Sequence, residues 1–500
     1  MRVLFVDIDS LRPDHLGCYG YERPTSPNID AVAAEGLRFE NCFTSDAPCL
    51  PSRVALTTGL FGMHSGVVSL TGARADPFPI GSSREMGISD DMRSLFSSLR
   101  ELGFYVTSIS SFPERHAAWS FCAGLNEWLN PGLRGYELAS DVNTLAIRWL
   151  RANARRDNWF LHVNYWDPHT PYRAPAAFGH PFADYAPPNW YSEEVRLAHY
   201  AEAGAMTASD LMSWWEDEPR AWPRMPDSIR SIEDWRGRID GYDTGVRYAD
   251  HHLGQLIDVL ATENVLDETA IVISADHGES LGELNVYSDH HCADVMTCRV
   301  PLVMRWPGVT RPGTHSAAFV YQLDLAATLV ELLGGVQPSS WDASSFAAGV
   351  DGGKIVGHPY LVFGQMSWNC QRGVRWGDWL LIRSYHPGWR NLPLTMLFDL
   401  ARDPHELNDC AAEEGDRVQE GLALLEEWHS TGAKRSSTGV DPLQEVLSEG
   451  GPGMLRANLT RYTRALRARG EHDAAASIEA SWRSAQAPEG SALAGLENRS

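Results

Sequence analysis

Three groups of residues in this 500-residue sequence carry side chains suited to chemistry, and the most compact is CLPSRVALTTG, from Cys49 to Gly59. Pro51 suits the first turn of a helix, where its missing N–H costs nothing, so a helix is predicted to begin near Pro51 with Cys49 just ahead of it. The unpaired N–H groups and positive dipole end of such a helix attract anions, and Arg53 adds a planar, permanently charged donor set. Taken alone, the cysteine reads as one more small buried thiol. The second group is acidic and spread along the chain: Asp9 ends the run VLFVDID, and Asp276 with His277 ends another in TAIVISADHGESLGE. Each aspartate singly reads as a turn or helix-cap residue. The third group is histidine. His169 in NYWDPHTPY, with His290 and His291 in SDHHCADVMTC, offers acid and base candidates.

These residues need elements that bring them together. Short apolar runs alternate with helix-like segments, the pattern of a mostly parallel sheet flanked by helices. Strands are predicted at VLFVDID, at FYVTSIS from Phe104, at NWFLHVNY from Asn158 and at TAIVISAD from Thr269, and a helix from the proline of PNIDAVAAEG to a stop at Gly36. Ligands in open α/β sheets collect at the carboxyl ends of strands, so the polar residues that follow these strands are expected to converge. The stretch from about 180 to 240, rich in proline and holding five tryptophans, reads as an insertion over the site, after which a helical period runs from Gly241 to Leu260. The tryptophans are either core residues or stacking platforms for sugar rings. A catalytic domain over 1–345 is thus expected, followed by an antiparallel-sheet subdomain over 350–430 and a helical tail over 431–500. Within that tail STGAKRSSTGV reads as a loop, NLTRYTRALRARGEHDAAASIEA as helix and the last dozen residues as disordered.

Composition narrows the partners. A chain of this length is expected to form more than one domain. A net charge of −23 argues against nucleic acid and anionic membranes, and it leaves attraction of an anionic substrate to charges local to the site. The eight cysteines show neither paired nor zinc-type spacing and read as reduced thiols. The N-terminus lacks an apolar h-region and a small-residue cleavage site, and no run of eighteen apolar residues follows; a cytoplasmic protein without a membrane span is expected.

Cys49, Pro51, Ser52, Arg53, Leu56, Thr58 and Gly59 together fill the pattern Cys-x-Pro-Ser-Arg-x-x-Leu-x-Thr-Gly, which resembles the signature of the type I sulfatases within the alkaline phosphatase-like superfamily. The resemblance extends from Val3 to about Asp409, where TMLFDLARDPHELND is similar to a segment near the end of many members. It implies a large, mostly parallel sheet with a smaller C-terminal α+β subdomain. It also implies that a formylglycine-generating enzyme oxidises Cys49 to formylglycine, and that Asp9, Asp276, His277 and the modified Cys49 bind one divalent cation. Calcium is the usual family ion; carboxylate oxygens suit magnesium or manganese as well, and a histidine ligand pulls toward manganese. By the same resemblance Arg53 and His169 contact the sulfate, and the aldehyde hydrates to a diol whose hydroxyl attacks sulfur. His169, His290 or His291 then protonates the leaving alkoxide.

The sequence departs from the family pattern at three places. Many members have adjacent aspartates at the first strand end, where this chain has Asp9 and Ser10; Asp7, two residues back on the same strand face, either supplies the missing carboxylate or orients the site. Others carry a lysine near His290 and His291. Many also carry Gly-Lys-Trp-His after the Phe104 strand, where SSFPERHAAW offers Arg115 and His116. Three functions follow: a sulfuric ester hydrolase acting on a sulfated carbohydrate or another organic sulfate; a phosphonate monoester or phosphodiester hydrolase of the same superfamily; and an inactive binding homologue, against which the intact Cys49, Arg53, Asp9, Asp276 and His277 count.

Overall fold

A computed structural model describes residues 1–78, 93–202, 204–211, 224–390, 392–436 and 438–486. Fifteen strands occur among the described residues: β1 (Arg2–Ile8), β2 (Leu37–Phe43), β3 (Asp46–Ala47), β4 (Tyr105–Ile109), β5 (Glu127–Leu129), β6 (Trp159–Tyr165), β7 (Thr269–Ser274), β8 (Ser280–Leu281), β9 (Tyr287–Asp289), β10 (Arg299–Arg305), β11 (Thr314–Tyr321), β12 (Leu361–Gln365), β13 (Cys370–Trp376), β14 (Trp379–His386) and β15 (Thr395–Asp399). Eight form one sheet in the order β11-β2-β10-β7-β1-β6-β4-β5. Only β10 runs against the rest, being antiparallel to both β2 and β7. The mostly parallel α/β sheet expected from the sequence is present, and four of its strands lie within two residues of their predicted ends.

β1, β6 and β7 are buried along their whole length because helices cover both faces, as their near-continuous apolar runs require. β1 pairs in parallel with β6 on one side and β7 on the other, Asp7 lying level with Asn164 and Ser274. The segments after these three strands, which carry Asp9, His169 and Asp276, therefore leave the sheet at one edge.

The helix predicted over 241–260 is the second part of a longer one, Ile232–Thr262, opened by a capping box in which Ser231 and Asp234 satisfy each other's backbone N–H groups. The end of the predicted insertion is thus helix. Of the insertion's five tryptophans, Trp214, Trp215 and Trp222 lie outside the described residues. The other two pack within the protein: Trp190 stacks on His405 at 4.4 Å, and Trp235 is buried with its indole N–H donated to the Leu281 carbonyl at 2.8 Å.

The second sheet, β15-β14-β13-β12-β3, is the antiparallel unit expected after residue 350 with one strand added from the N-terminal part. β3 pairs in parallel with β12, Asp46 with Gly364 and Ala47 with Gln365. The stretch from Ser430 to Arg435, read as loop, is the last turns of the helix Gly415–Arg435. Among the described residues the tail holds three helices, Pro442–Ser448, Gly453–Ala468 and His472–Gln486, and the last dozen residues lie outside the described ones. All eight cysteines are free, and among the described residues no helix is long and apolar enough to cross a membrane.

Candidate active site

The helix that carries the cysteine runs Cys49–Thr58, two residues earlier at its start than the proline suggested, so Cys49 lies in the first turn rather than ahead of it. All ten of its residues are buried. Motif residues fix it in place. The Ser52 hydroxyl donates to the Asp276 carbonyl at 2.6 Å, tying the helix to the end of β7. Gly59 stops it in the left-handed conformation, with φ of 64°, where a side chain would overlap the Trp341 indole.

Arg53 projects from this helix into a nest of three carboxylates. Its Nε donates to Asp7 Oδ2 at 2.7 Å, and Nη1 reaches Asp9 Oδ2 at 3.0 Å and Asp276 Oδ2 at 2.6 Å. Burial alone would raise the Asp9 pKa, but the charge of Arg53 with help from His169 and His277 holds it well below the usual carboxylate range. Asp276 moves the other way, raised by burial and by the charges of Asp9 and Asp7 despite Arg53. Three buried carboxylates facing one guanidinium leave a charge deficit that a cation would meet.

The residues present fit such an ion. Asp9, Cys49, Asp276 and His277 each offer one ligand atom, and these four atoms lie within 4.8 Å of one another. His277 donates Nδ1–H to the Gly278 carbonyl at 2.8 Å, which leaves Nε2 as the acceptor facing the cluster, 3.1 Å from Cys49 Sγ. Burial lowers the His277 pKa, so the ring is neutral and its lone pair free. Asp7 stands behind Arg53 rather than in this group. Ser10, where the family has a second aspartate, donates its hydroxyl to Asp9 Oδ1 at 2.9 Å and its N–H to Asp276 Oδ1 at 3.2 Å.

A second group meets the cysteine from the other side. One ligand atom each from Cys49, His169 and His290 also falls within 4.8 Å. The His290 ring lies 4.2 Å from that of His277 and 5.8 Å from that of His169. His169 donates Nδ1–H to the Thr170 carbonyl, so its Nε2 faces the cluster. Burial outweighs the pull of Asp9 and drops His169 to about 4, and it drives His290 well below its ordinary value. Of the two adjacent histidines only His290 is in the cluster; His291 stacks on Trp368 at 4.3 Å. Arg115 lies over the Trp166 indole at 4.8 Å, and the His116 ring lies 6.3 Å from the same indole.

Two residues near the site were not singled out in the sequence. Glu279 is buried, accepts from the Tyr172 hydroxyl at 3.0 Å and places Oε2, which has no hydrogen-bond partner, 4.0 Å from His290 Nδ1. Its signal was its place two residues after His277 in the same polar run. Arg173 follows the His169 segment and has a buried Nε without a partner.

The family model described as Sulfatase matches residues 2–336, and one described as N-sulphoglucosamine sulphohydrolase, C-terminal, matches 282–426. The chain is 24% identical to the N-acetylglucosamine-6-O-sulfatase of Bacteroides thetaiotaomicron, with 85% of this chain and 86% of the relative covered. A solved structure of a protein in complex with its substrate D-glucosamine-2-N,6-O-disulfate superposes with a TM-score of 0.67 at 18% identity, covering 88% of this chain and 99% of the other. The phosphonate monoester hydrolase of Agrobacterium radiobacter superposes with a TM-score of 0.63 at 20% identity, covering 87% and 96%.

Proposed function

The chain belongs to the sulfatase family, and from that premise we propose that it releases inorganic sulfate from a sulfated carbohydrate, with residue 49 as the nucleophile once a formylglycine-generating enzyme has oxidised it. The observation that carries this reading is the convergence of Cys49 with Asp9, Asp276 and His277 in one buried cluster beside Arg53. The carbohydrate class is supported by the relative that acts on N-acetylglucosamine 6-O-sulfate and by the neighbour bound to a disulfated glucosamine.

Asp9, Asp276, His277 and residue 49 would hold a divalent cation, which when bound supplies Lewis-acid stabilisation of charge on the sulfuryl oxygens. Formylglycine supplies a hydrated aldehyde, one hydroxyl to attack sulfur and another whose deprotonation releases sulfate. Arg53 fixes the carboxylates at the carboxyl edge of the sheet and holds Asp7 and Asp9 ionised, whereas burial and the neighbouring aspartates raise Asp276, which would return to its charged form beside a bound cation. His277 is held as an acceptor by its bond to Gly278. His169 and His290, neutral in the resting site, face residue 49 from the other side. An arriving anionic ester raises their basicity, so that one of them carries a proton to the departing alkoxide.

The intact mass of the peptide that contains residue 49 tests this reading, in protein co-expressed with a formylglycine-generating enzyme and assayed on an aryl sulfate. Loss of the thiol mass together with turnover that Cys49→Ala abolishes is expected. An unmodified thiol, or modified protein inert on every sulfate ester, would refute it. The second reading is a phosphonate monoester or phosphodiester hydrolase, with which two features are compatible: Asp9 is followed by Ser10 rather than a second aspartate, and Asp276 is followed by a histidine. A higher kcat/KM on an aryl phosphonate than on the matched sulfate would select it.

A further inference from the structure

Two arginines beyond the buried cluster face the site without an acidic partner. Arg115 and Arg173 are half-buried, whereas Cys49, Arg53, His169 and His290 are buried. The Arg115 guanidinium lies 4.8 Å from the centre of the Trp166 indole, and the Arg53 guanidinium lies 5.5 Å from the centre of the same ring. One aromatic side chain thus sets the spacing between the innermost cation of the site and the next one out.

The chain segment from Arg134 to Tyr136 holds both outer arginines. Arg115 Nη1 donates to the Arg134 carbonyl at 3.3 Å, and Arg173 Nη1 donates to the Gly135 carbonyl at 2.5 Å. Gly135 has no side chain because Arg115 occupies the space where a Cβ would stand. Tyr136 adds its ring, 5.5 Å from the Arg173 guanidinium. Among the described residues no carboxylate lies within ion-pair distance of either arginine, and Arg173 Nε is buried with no acceptor.

Two neighbouring like charges kept together by neutral carbonyls are unfavourable unless an anion is shared between them. Burial and then the charge of Arg115 disfavour the charged form of Arg173, and Asp167 and Glu137 offset this only from a distance. The electrostatic reach of both arginines extends to His169, and that of Arg115 to Cys49. Arg115 shares the Trp166 ring with Arg53, and Arg173 is held on the carbonyl next to the one that holds Arg115, so both guanidiniums lie next outward from the buried cluster. Guanidiniums bind sulfate and carboxylate oxygens in a planar fork, and burial lowers the Arg173 pKa, a cost that a bound anion would offset.

We propose that Arg115 and Arg173, positioned by the Arg134–Tyr136 segment and Trp166, form a subsite for a second anionic group on the substrate, a sulfate or a carboxylate carried by the same sugar or by its neighbour. This deepens the sulfatase reading and rests on it for the identity of the reacting group. The substrate class becomes a multiply anionic saccharide rather than a singly sulfated one.

Binding to the unmodified thiol protein, which cannot turn over, separates this inference from the sulfatase reading. Calorimetry would compare glucosamine 6-sulfate, glucosamine N,6-disulfate and a 2-sulfated uronic acid on the calcium-loaded full chain and on Arg115→Gln, Arg173→Gln and the double variant. At least tenfold tighter binding of a doubly anionic ligand is expected, with the disulfate and the uronate arms telling sulfate from carboxylate. Each single variant should lose most of that preference and the double variant all of it, with Arg173→Lys restoring part. Equal affinity for all three ligands would overturn the proposal. So would variants that weaken the singly and doubly charged ligands alike, since that result assigns the arginines to the reacting sulfate. Circular dichroism of each variant checks folding, and failure of the matured wild type to release sulfate would count against the parent reading alone.

Discussion

At the scale of single residues, the division of labour among the aspartates is the sharpest question, because three carboxylates share one arginine. Asp7 meets Arg53 Nε, while Asp9 and Asp276 meet Nη1 and also face Cys49 and His277. Asp7 is therefore a positioning residue. Asp7→Asn should keep the divalent cation, measured by elemental analysis of protein dialysed against trace metal, and lower kcat on an aryl sulfate by about 10- to 100-fold, as loss of a supporting group around a metal site does. Asp9→Asn should lose the cation. Cation loss from Asp7→Asn as complete as from Asp9→Asn would make Asp7 a ligand. The adjacent histidines divide in the same manner. His290→Ala removes a ring that faces residue 49 and should depress kcat on the aryl sulfate by about 100-fold, whereas His291→Ala removes a ring stacked on Trp368 and should act chiefly on stability. The sequence alone left both candidates open, since neighbouring side chains at a strand end point in different directions only once the loop's path is known.

At the scale of elements, the signature segment behaves as a mechanical part as well as a chemical one. Ser52 ties the helix to β7, Arg53 ties it to β1 and β7, and Gly59 ends it with φ of 64° against Trp341. Gly59→Ala should cost at least 1 kcal/mol, from the left-handed conformation and from the overlap with Trp341. Urea unfolding should show a lower midpoint at unchanged slope, and an unchanged midpoint would mean that the helix end yields freely. The strands were legible because each is a compact apolar run bounded by polar residues, and the edge where Asp9, His169 and Asp276 meet followed from strand order in open sheets. The helix boundaries were less so. Pro51 is tolerated within the first turn as well as at its first position, which displaced the predicted start. Gly432 gave the end of the helix Gly415–Arg435 the look of a loop, yet that glycine lets the helix approach Met63 closely. Arg173 and Glu279 escaped notice because their significance lies in partners they lack, which no spacing in a sequence reveals.

At the scale of the whole molecule, the parts read as separate units from composition are locked together around one buried acid. Glu283, between β8 and β9, lies 2.9 Å from Arg12 Nη1 and 3.2 Å from His405 Nδ1, and the His405 ring in turn stacks on Trp190. The segment after β1, the insertion, the site-bearing segment after β7 and the C-terminal unit thus meet at one carboxylate. The second sheet strengthens the connection, for Gln365 donates to the His290 carbonyl and Asn369 to that of His291, at 2.6 and 2.8 Å. Burial would raise the Glu283 pKa, but Arg12 and His405 together lower it from 4.5 to about 2. A carboxylate depressed in the folded state stabilises the fold in full above its unfolded value of 4.5, and that contribution fades as pH falls from there through 2. Glu283→Gln should therefore lose about 3 kcal/mol at pH 7, and the deficit relative to wild type should shrink between pH 4.5 and pH 2. Urea unfolding at pH 7 and pH 3, followed by tryptophan fluorescence and by far-UV circular dichroism, measures this directly. Coincident transitions by the two probes are expected of units that share a buried ion pair, and an equal deficit at both pH values would place the loss in packing rather than in charge.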